Sequence, residues 1–128
     1  MEENQEKQLP VDTRVFVFPS NMPRIVCLCG STRFYDEFQK AYFEETMKRR
    51  IVLSVGFKPG VQEHGQTVGI TPEQKEMLDE LHMRRIDLAD EVYILNKGGY
   101  VGESTRKELE YARSKGKPIR YLESMGEI

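Results

Sequence analysis

The sequence has no long hydrophobic run and no excess of basic charge. No apolar stretch approaches the roughly 20 residues that a membrane-spanning helix needs, and residues 1–8 are polar and acidic, unlike a secretory signal. A net charge of -2 creates no basic field, so nonspecific binding to a nucleic-acid polymer is not indicated. We therefore expect a cytoplasmic protein with neither a membrane nor a nucleic-acid polymer as its partner.

Cysteine and histidine are also scarce. The two cysteines, Cys27 and Cys29, point to the same face if they lie on a strand. Their spacing is that of neither a redox pair nor a zinc site, so we interpret them as small buried side chains in a reducing compartment. His64 and His82 form no metal-ligand cluster at a known spacing. We predict no metal or cofactor, an exposed His64, and a His82 that is either structural or directed at the sheet edge.

The remaining sequence predicts one α/β domain at residues 24–128. Its length of 128 residues, with 38% hydrophobic and 31% charged residues, suits a single globular domain. Strand and helix patterns alternate as β-α-β-α-β-α-β, which predicts parallel strands with helices on both faces. The expected strands are Arg24–Cys29, Ile51–Val55, Glu91–Leu95 and Pro118–Leu122.

Residues 1–23 are predicted to form an N-terminal extension. Residues 1–9 carry almost no apolar surface, so we expect them to be disordered. Val15–Phe18 is either an edge strand or a partner contact. The loop Gly56–Ile70 is long for a compact domain, and such loops are often lids or binding segments.

Three helices are expected between the strands. The first, beginning after Thr32, has a predicted apolar stripe, and its charged positions, Glu45 among them, mostly fall outside that stripe. The second begins at the cap Thr71 and ends near Leu88. The third begins near Ser104 and ends before Gly116, a natural C-cap. The inward-facing residues are predicted to be Phe34, Phe38, Ala41, Tyr42 and Met47 in the first helix and Met77, Leu78, Leu81 and Ile86 in the second.

The turn after the first strand reads Gly30-Ser31-Thr32-Arg33. Glycine permits a tight turn and close approach of a ligand, while hydroxyls and free helix amides suit an anion such as phosphate. Arg33 would add a forked cationic donor. Ser31 or Thr32 could instead only cap the helix. The motif is neither a P-loop nor a dinucleotide fingerprint, yet its strand-to-helix position favours ligand contact.

Glu108 has two interpretations. It follows the third strand, near the carboxyl edge where open α/β sheets bind ligands, and a carboxylate there could attack a sugar carbon. However, Thr105-Arg106-Lys107-Glu108 also matches a capping box, in which a glutamate at the third helical position bonds back to the cap amide. Spacing by itself favours the capping role.

The chain resembles the nucleoside 2-deoxyribosyltransferase-like superfamily, which includes the deoxynucleoside 5'-monophosphate N-glycosidases. The resemblance covers nearly the whole chain. Its most specific element is a Glu-Leu-x-x-Ala helix followed by Gly-Lys-Pro, and the family's catalytic glutamate opens that helix. The stretches that carry the resemblance are Arg24–Ser31, Leu88–Val92, Lys107–Ala112 and Gly116–Ile119.

This resemblance implies a flavodoxin-like parallel sheet of four or five strands in the order 2-1-3-4. It further implies N-glycosidic bond cleavage or transfer on a nucleoside or nucleoside 5'-monophosphate, with Glu108 as the nucleophile and no cofactor. A homo-oligomer is also implied. The implied substrate-binding residues are Gly30, Ser31, Thr32, Arg33, His82, Gly102 and Ser104.

Two positions depart from the family pattern. His82 stands where the family commonly has an aspartate, and Gly102 stands where it has Asp or Ser, although Ser104 is nearby. These departures are compatible with two alternatives. One is a substrate with a different sugar or phosphate, and the other is a non-catalytic nucleotide-binding module on the same fold. A further alternative is a glycohydrolase that acts on NAD.

Overall fold

The alternating pattern builds a parallel sheet with flanking helices. The computed structural model describes residues 21–56 and 69–124. Short 3-10 turns at Thr32–Phe34 and Lys97–Gly99 follow the first and third strands. In chain order the strands and α-helices are β1 (Ile25–Cys29), α1 (Tyr35–Met47), β2 (Ile51–Leu53), α2 (Pro72–Leu88), β3 (Glu91–Ile94), α3 (Glu103–Ser114) and β4 (Ile119–Tyr121).

The strand order within the described residues is β2-β1-β3-β4, and every pair is parallel. The predicted α/β flavodoxin-like architecture and the order 2-1-3-4 are therefore confirmed. After β1 the chain moves outward to β2 and then returns to β3 on the other side of β1. The carboxyl ends of β1 and β3 are consequently adjacent, with Cys29 opposite Ile94. In open α/β sheets a ligand crevice forms at such a reversal.

Alternate side chains of the strands form a core on each face of the sheet. On one face Cys27, Cys29 and Val92 pack with Ile86 of α2 and Leu109 of α3. The other face carries a smaller cluster, in which Leu28 and Leu95 pack with Ala41 of α1. Because α2 and α3 share a face, their side chains meet above the carboxyl end of β1.

The apolar stripe predicted for α1 is only partly correct. Ala41 is buried and Phe38 packs against the core, but Tyr42 and Met47 are exposed. The buried position near the end of the helix is instead taken by Glu45. An apolar periodicity cannot show this arrangement, because Glu45 is bound by Arg50, which lies just beyond the helix, and by Arg120, which is 75 residues away in the chain.

The predicted α2 stripe also needs correction. Ile86 is fully buried, whereas Met77 and Leu81 are exposed and His82 is buried beside them. The cap at Thr71 is confirmed: its hydroxyl accepts a hydrogen bond from the Gln74 amide at 3.0 Å. The first turn of α2 is thus anchored as the sequence indicates, but the helix is rotated relative to the predicted stripe.

Several predictions fall outside the described residues. Residues 1–20, 57–68 and 125–128 are not described. The N-terminal extension with Val15–Phe18, most of the loop between β2 and α2, and His64 therefore remain predictions. Among the helices that are described, none combines the length and apolar character required to cross a membrane.

A buried ionic network joins α1 to the amino end of the sheet. The Glu45 side chain is 3% exposed and accepts hydrogen bonds from Arg50 at 2.6 Å and Arg120 at 2.8 Å. Arg120 also binds Glu91 at 2.7 Å, and Arg24 binds the same carboxylate at 2.6 Å. Burial tends to raise the pKa of Glu45, but the two arginines outweigh it, so the pKa lies below the usual value.

Arg120 binds both carboxylates, so replacing it tests how much the network contributes to stability. We expect Arg120→Leu to lower the free energy of unfolding by about 2–3 kcal/mol, because it leaves a buried carboxylate short of a partner. The loss is less than that for a fully buried pair since the Arg120 side chain is 36% exposed. Arg106→Leu on the exposed face of α3 is the control, with an expected change within about 0.5 kcal/mol. Equal losses in the two variants, measured by urea unfolding, would contradict this role.

Candidate active site

A cavity of about 400 Å³ lies at the carboxyl edge of the sheet. It is lined by the turn after β1, by Val55 after β2, by Ile70 and one face of α2, and by the segment that runs from Tyr100 into α3. Most of the lining residues are polar or glycine. They are Gly30, Ser31, Thr32, Lys75, Asp79, His82, Tyr100, Gly102, Glu103, Ser104, Thr105 and Glu108.

All but one of the predicted site residues line this cavity. The exception is Arg33, whose guanidinium carbon lies 4.1 Å from the centroid of the Tyr100 ring and which donates a hydrogen bond to the Tyr100 hydroxyl at 3.2 Å. Ser31 caps the short turn that follows, accepting from the Arg33 amide at 3.2 Å. The turn thus combines the predicted capping with exposure to the cavity, while Arg33 holds Tyr100 at the rim. The binding roles of the lining residues stay predictions.

Glu108 does not belong to a capping box. Helix α3 begins at Glu103 with Gly102 as its cap, and no side chain bonds to the cap amides. Thr105, the cap that the sequence motif requires, is a buried residue inside the helix. Glu108 therefore lies in the second turn, 9% exposed, and faces the cavity. The capping interpretation of Glu108 is wrong, and its burial needs another explanation.

The Glu108 carboxyl is buried without full hydrogen bonding. Its Oε1 atom accepts no hydrogen bond within the described part of the chain. The nearest charged partner is His82, whose Nε2 lies 4.0 Å from this oxygen. Burial raises the pKa of Glu108 to about 7, and the His82 charge opposes that rise. A buried acceptor left free in this way is uncommon in folded proteins, which makes Glu108 a candidate functional residue.

His82 lies between Glu108 and the two cysteines. Its Nε2 is 3.3 Å from the Cys29 sulfur and 3.7 Å from the Cys27 sulfur. Burial lowers the pKa of His82, but Cys27 and Glu108 outweigh this effect, so the pKa lies above its usual value. Hydrogen bonding with Cys29 lowers the pKa of the Cys27 thiol to about 6.

The predicted burial of both cysteines is confirmed. The structure also brings them together with His82, in a group whose ligand atoms lie within 4.8 Å of one another. Linear spacing gave no sign of this cluster, because 53 and 55 residues separate His82 from the two cysteines.

Lys75, Asp79 and Tyr100 are cavity residues that the sequence did not single out. The Lys75 ammonium donates to Asp79 at 2.8 Å and to the Ser104 hydroxyl at 3.4 Å, so it connects α2 to α3. Asp79 lies one turn before His82, and this spacing on a shared helix face is the signal that could have identified it. Nothing in the sequence around Tyr100 indicates its position at the rim.

A second cavity of about 290 Å³ adjoins the first. It lies on the α1 side, and the aromatic rings of Tyr35, Phe38 and Tyr42 line it. Gly30 and Thr32 line both cavities. The turn after β1 therefore lies between the cavity that contains Glu108 and a cavity lined by aromatic rings.

No protein-family model, curated protein or solved structure matches this chain.

The close approach of the β1 turn to the sheet requires glycine. A Cβ atom at Gly30 would lie 3.0 Å from the Leu95 carbonyl oxygen and 3.3 Å from the Phe38 ring. We expect Gly30→Ala to lower the free energy of unfolding by about 1–3 kcal/mol through overpacking. Gly69→Ala is the control, because a Cβ atom there meets nothing within 4 Å. Chemical denaturation compares the variants, and a Gly30→Ala protein as stable as Gly69→Ala would contradict the crowding.

Burial of Glu108 makes stability depend on pH in a defined direction. Because folding raises its pKa from 4.5 to about 7, the stability contribution of Glu108 is complete below pH 4.5 and is lost as the pH rises through about 7. Glu108→Gln keeps a neutral side chain, so we expect it to be more stable than the wild type by up to about 3 kcal/mol at pH 8 and similar to it at pH 4.

Urea unfolding at both pH values measures this difference. The exposed Glu110→Gln, two positions along α3, should follow the wild type throughout. A Glu108→Gln variant less stable than the wild type at pH 8 would show that the carboxylate is stabilised by a partner.

Proposed function

We propose that this protein cleaves or transfers the N-glycosidic bond of a nucleoside or nucleoside 5'-monophosphate, with Glu108 as the nucleophile. The observation that carries the proposal is the buried carboxyl with a free oxygen, in a cavity at the carboxyl edge of β1 and β3. Perturbed carboxyls in clefts are candidates for catalysis. The resemblance of the α3 segment to the nucleoside 2-deoxyribosyltransferase-like superfamily supports the same residue.

The proposed reaction uses the charge of the carboxylate. As the bond between the anomeric carbon and the base nitrogen breaks, its electron pair leaves with the base, which takes up a proton. Positive charge develops on the sugar, and the Glu108 carboxylate stabilises it and forms a covalent bond to the anomeric carbon. Water or a second base then displaces the carboxylate. His82, at 4.0 Å, favours the charged form of Glu108 that attacks.

The two cavities suit the two ends of such a substrate. The cavity lined by aromatic rings offers ring faces on which a nucleobase can stack. Lys75 and the hydroxyls of Ser31 and Ser104 line the cavity that contains Glu108, where they would meet the sugar or its phosphate. The implied homo-oligomer remains a prediction from the resemblance.

Measuring the release of free base tests whether Glu108 is the nucleophile. Incubation with deoxynucleosides and their 5'-monophosphates, followed by chromatography, should show free base. We expect Glu108→Gln to lower kcat on the order of 10⁴-fold, as for the loss of other nucleophiles. For the wild type, kcat/KM should rise as the pH increases through about 7, because only the carboxylate attacks. Glu110→Gln is the matched control and should retain activity, whereas base release that persists in Glu108→Gln would rule out the nucleophile role.

A non-catalytic nucleotide-binding module is the second candidate. Gly102 favours it, since this position lines the cavity without a polar side chain to hold the sugar. Thermal denaturation with a panel of nucleotides separates the two functions. Stabilisation by a nucleotide that releases no base supports binding alone, and the absence of any shift counts against both.

A further inference from the structure

Three soft or borderline ligand atoms converge beneath the cavity. The sulfurs of Cys27 and Cys29 and Nε2 of His82 lie within 4.8 Å of one another, and all three residues are buried. We propose that Cys27, Cys29 and His82 form a site for a thiophilic divalent cation, Zn²⁺ above all, with Glu108 as the fourth ligand.

The distances fit a tetrahedral ion. With zinc bonds of about 2.3 Å to sulfur and about 2.0 Å to nitrogen, two such ligands lie roughly 3.5 Å apart. The corresponding contacts here are 3.3 Å for Cys29 and 3.7 Å for Cys27. An ion at the centre of the group would therefore require only small side-chain movements. Thiolate and imidazole together select zinc and similar ions over magnesium or calcium.

Glu108 supplies an independent indication of a ligand. Its Oε1 is buried, accepts no hydrogen bond within the described residues, and lies 4.0 Å from the same His82 nitrogen. A carboxylate oxygen is a common zinc ligand. Glu108 lies outside the group of three whose ligand atoms are within 4.8 Å of one another, so its side chain must move towards the sulfurs to complete the tetrahedron. Both His82 and Glu108 line the large cavity, which provides a path from solvent to the site.

Binding of a metal ion releases protons from the ligands and breaks one hydrogen bond of His82. Any proton held by the two sulfurs, by Nε2 of His82 or by the Glu108 carboxyl leaves to solvent as the ion binds, so affinity should increase with pH. Ligation through Nε2 places the ring proton of His82 on Nδ1, which opens the contact between Nδ1 and the Arg85 guanidinium. That contact is 3.5 Å long, at the limit of a hydrogen bond, so its loss costs little.

Cobalt is the probe for this site, because its thiolate complexes absorb light. We expect one equivalent of Co²⁺ to bind the reduced, folded wild-type protein with thiolate-to-cobalt charge-transfer absorption, and Zn²⁺ to displace it. Competition with a chromogenic chelator then gives the Zn²⁺ affinity. Cys29→Ser, His82→Gln and Glu108→Gln each remove a direct ligand, so each should weaken it by more than the loss of an outer-shell partner does, which is about 10–100-fold.

The matched control is Glu110→Gln, which should bind Zn²⁺ as the wild type does. Circular dichroism establishes that each variant is folded, and the cobalt spectrum of the wild type decides the question even if a cysteine variant does not fold. Absence of charge-transfer absorption from the folded, reduced wild type would overturn the proposal. Equal affinity in Glu108→Gln and Glu110→Gln would overturn the assignment of the fourth ligand.

Metal binding also bears on the proposed glycosidase, and this step rests on that function. A Glu108 oxygen bound to zinc cannot attack a sugar, so base release should fall as Zn²⁺ is added and return with a chelator. The cobalt spectrum does not depend on turnover. A protein that binds the metal but releases no base even when it is metal-free would therefore refute the glycosidase alone, and base release without metal binding would refute the metal site alone.

Discussion

The site depends on burial of the Glu108 carboxyl against His82. Because the strand order places β3 beside β1, helices α2 and α3 pack on the same face, above the end of β1. That packing brings one ionisable side chain from each helix to within 4.0 Å of the other, with the thiols of β1 beneath. The side chains of His82 and Glu108 are only 5% and 12% exposed, so each group affects the protonation of its neighbours. The same packing of α2 and α3 that forms the core thus places the carboxyl that we propose as the nucleophile.

Two buried polar clusters lie at opposite ends of the sheet, and their hydrogen bonding differs. At the amino end, each carboxylate of the Glu45–Glu91 network binds two arginines. Such complete pairing is what a structural role requires. At the carboxyl end, Glu108 has an oxygen without a hydrogen bond. Natural proteins leave buried polar groups without hydrogen bonds mainly at functional sites. This contrast is the physical reason for proposing that the functional site lies at the carboxyl end of the sheet.

The sequence predicted what depends on local pattern. Strands of β-branched and aliphatic residues, the Thr71 cap and the glycine turn at Gly30 all appear in the structure near their expected positions. The burial of Glu45 could not be predicted, since it depends on Arg120, a partner 75 residues away that only the packing of α1 on the sheet brings close. Likewise the capping box at Thr105 was a false match, because α3 begins two residues earlier, at Glu103, and turns Thr105 and Glu108 inward.

The uses proposed for Glu108 exclude one another at any moment. A protonated carboxyl neither attacks a sugar nor binds zinc, and a carboxylate bound to zinc is not a nucleophile. With a pKa of about 7, the protonated and charged forms have similar populations near neutral pH. A modest interaction free energy, from a substrate cation in the transition state or from a metal ion, is therefore enough to select one state. Since a fully paired carboxylate such as Glu45 would already be committed to its partners, the free oxygen of Glu108 is what allows either chemistry.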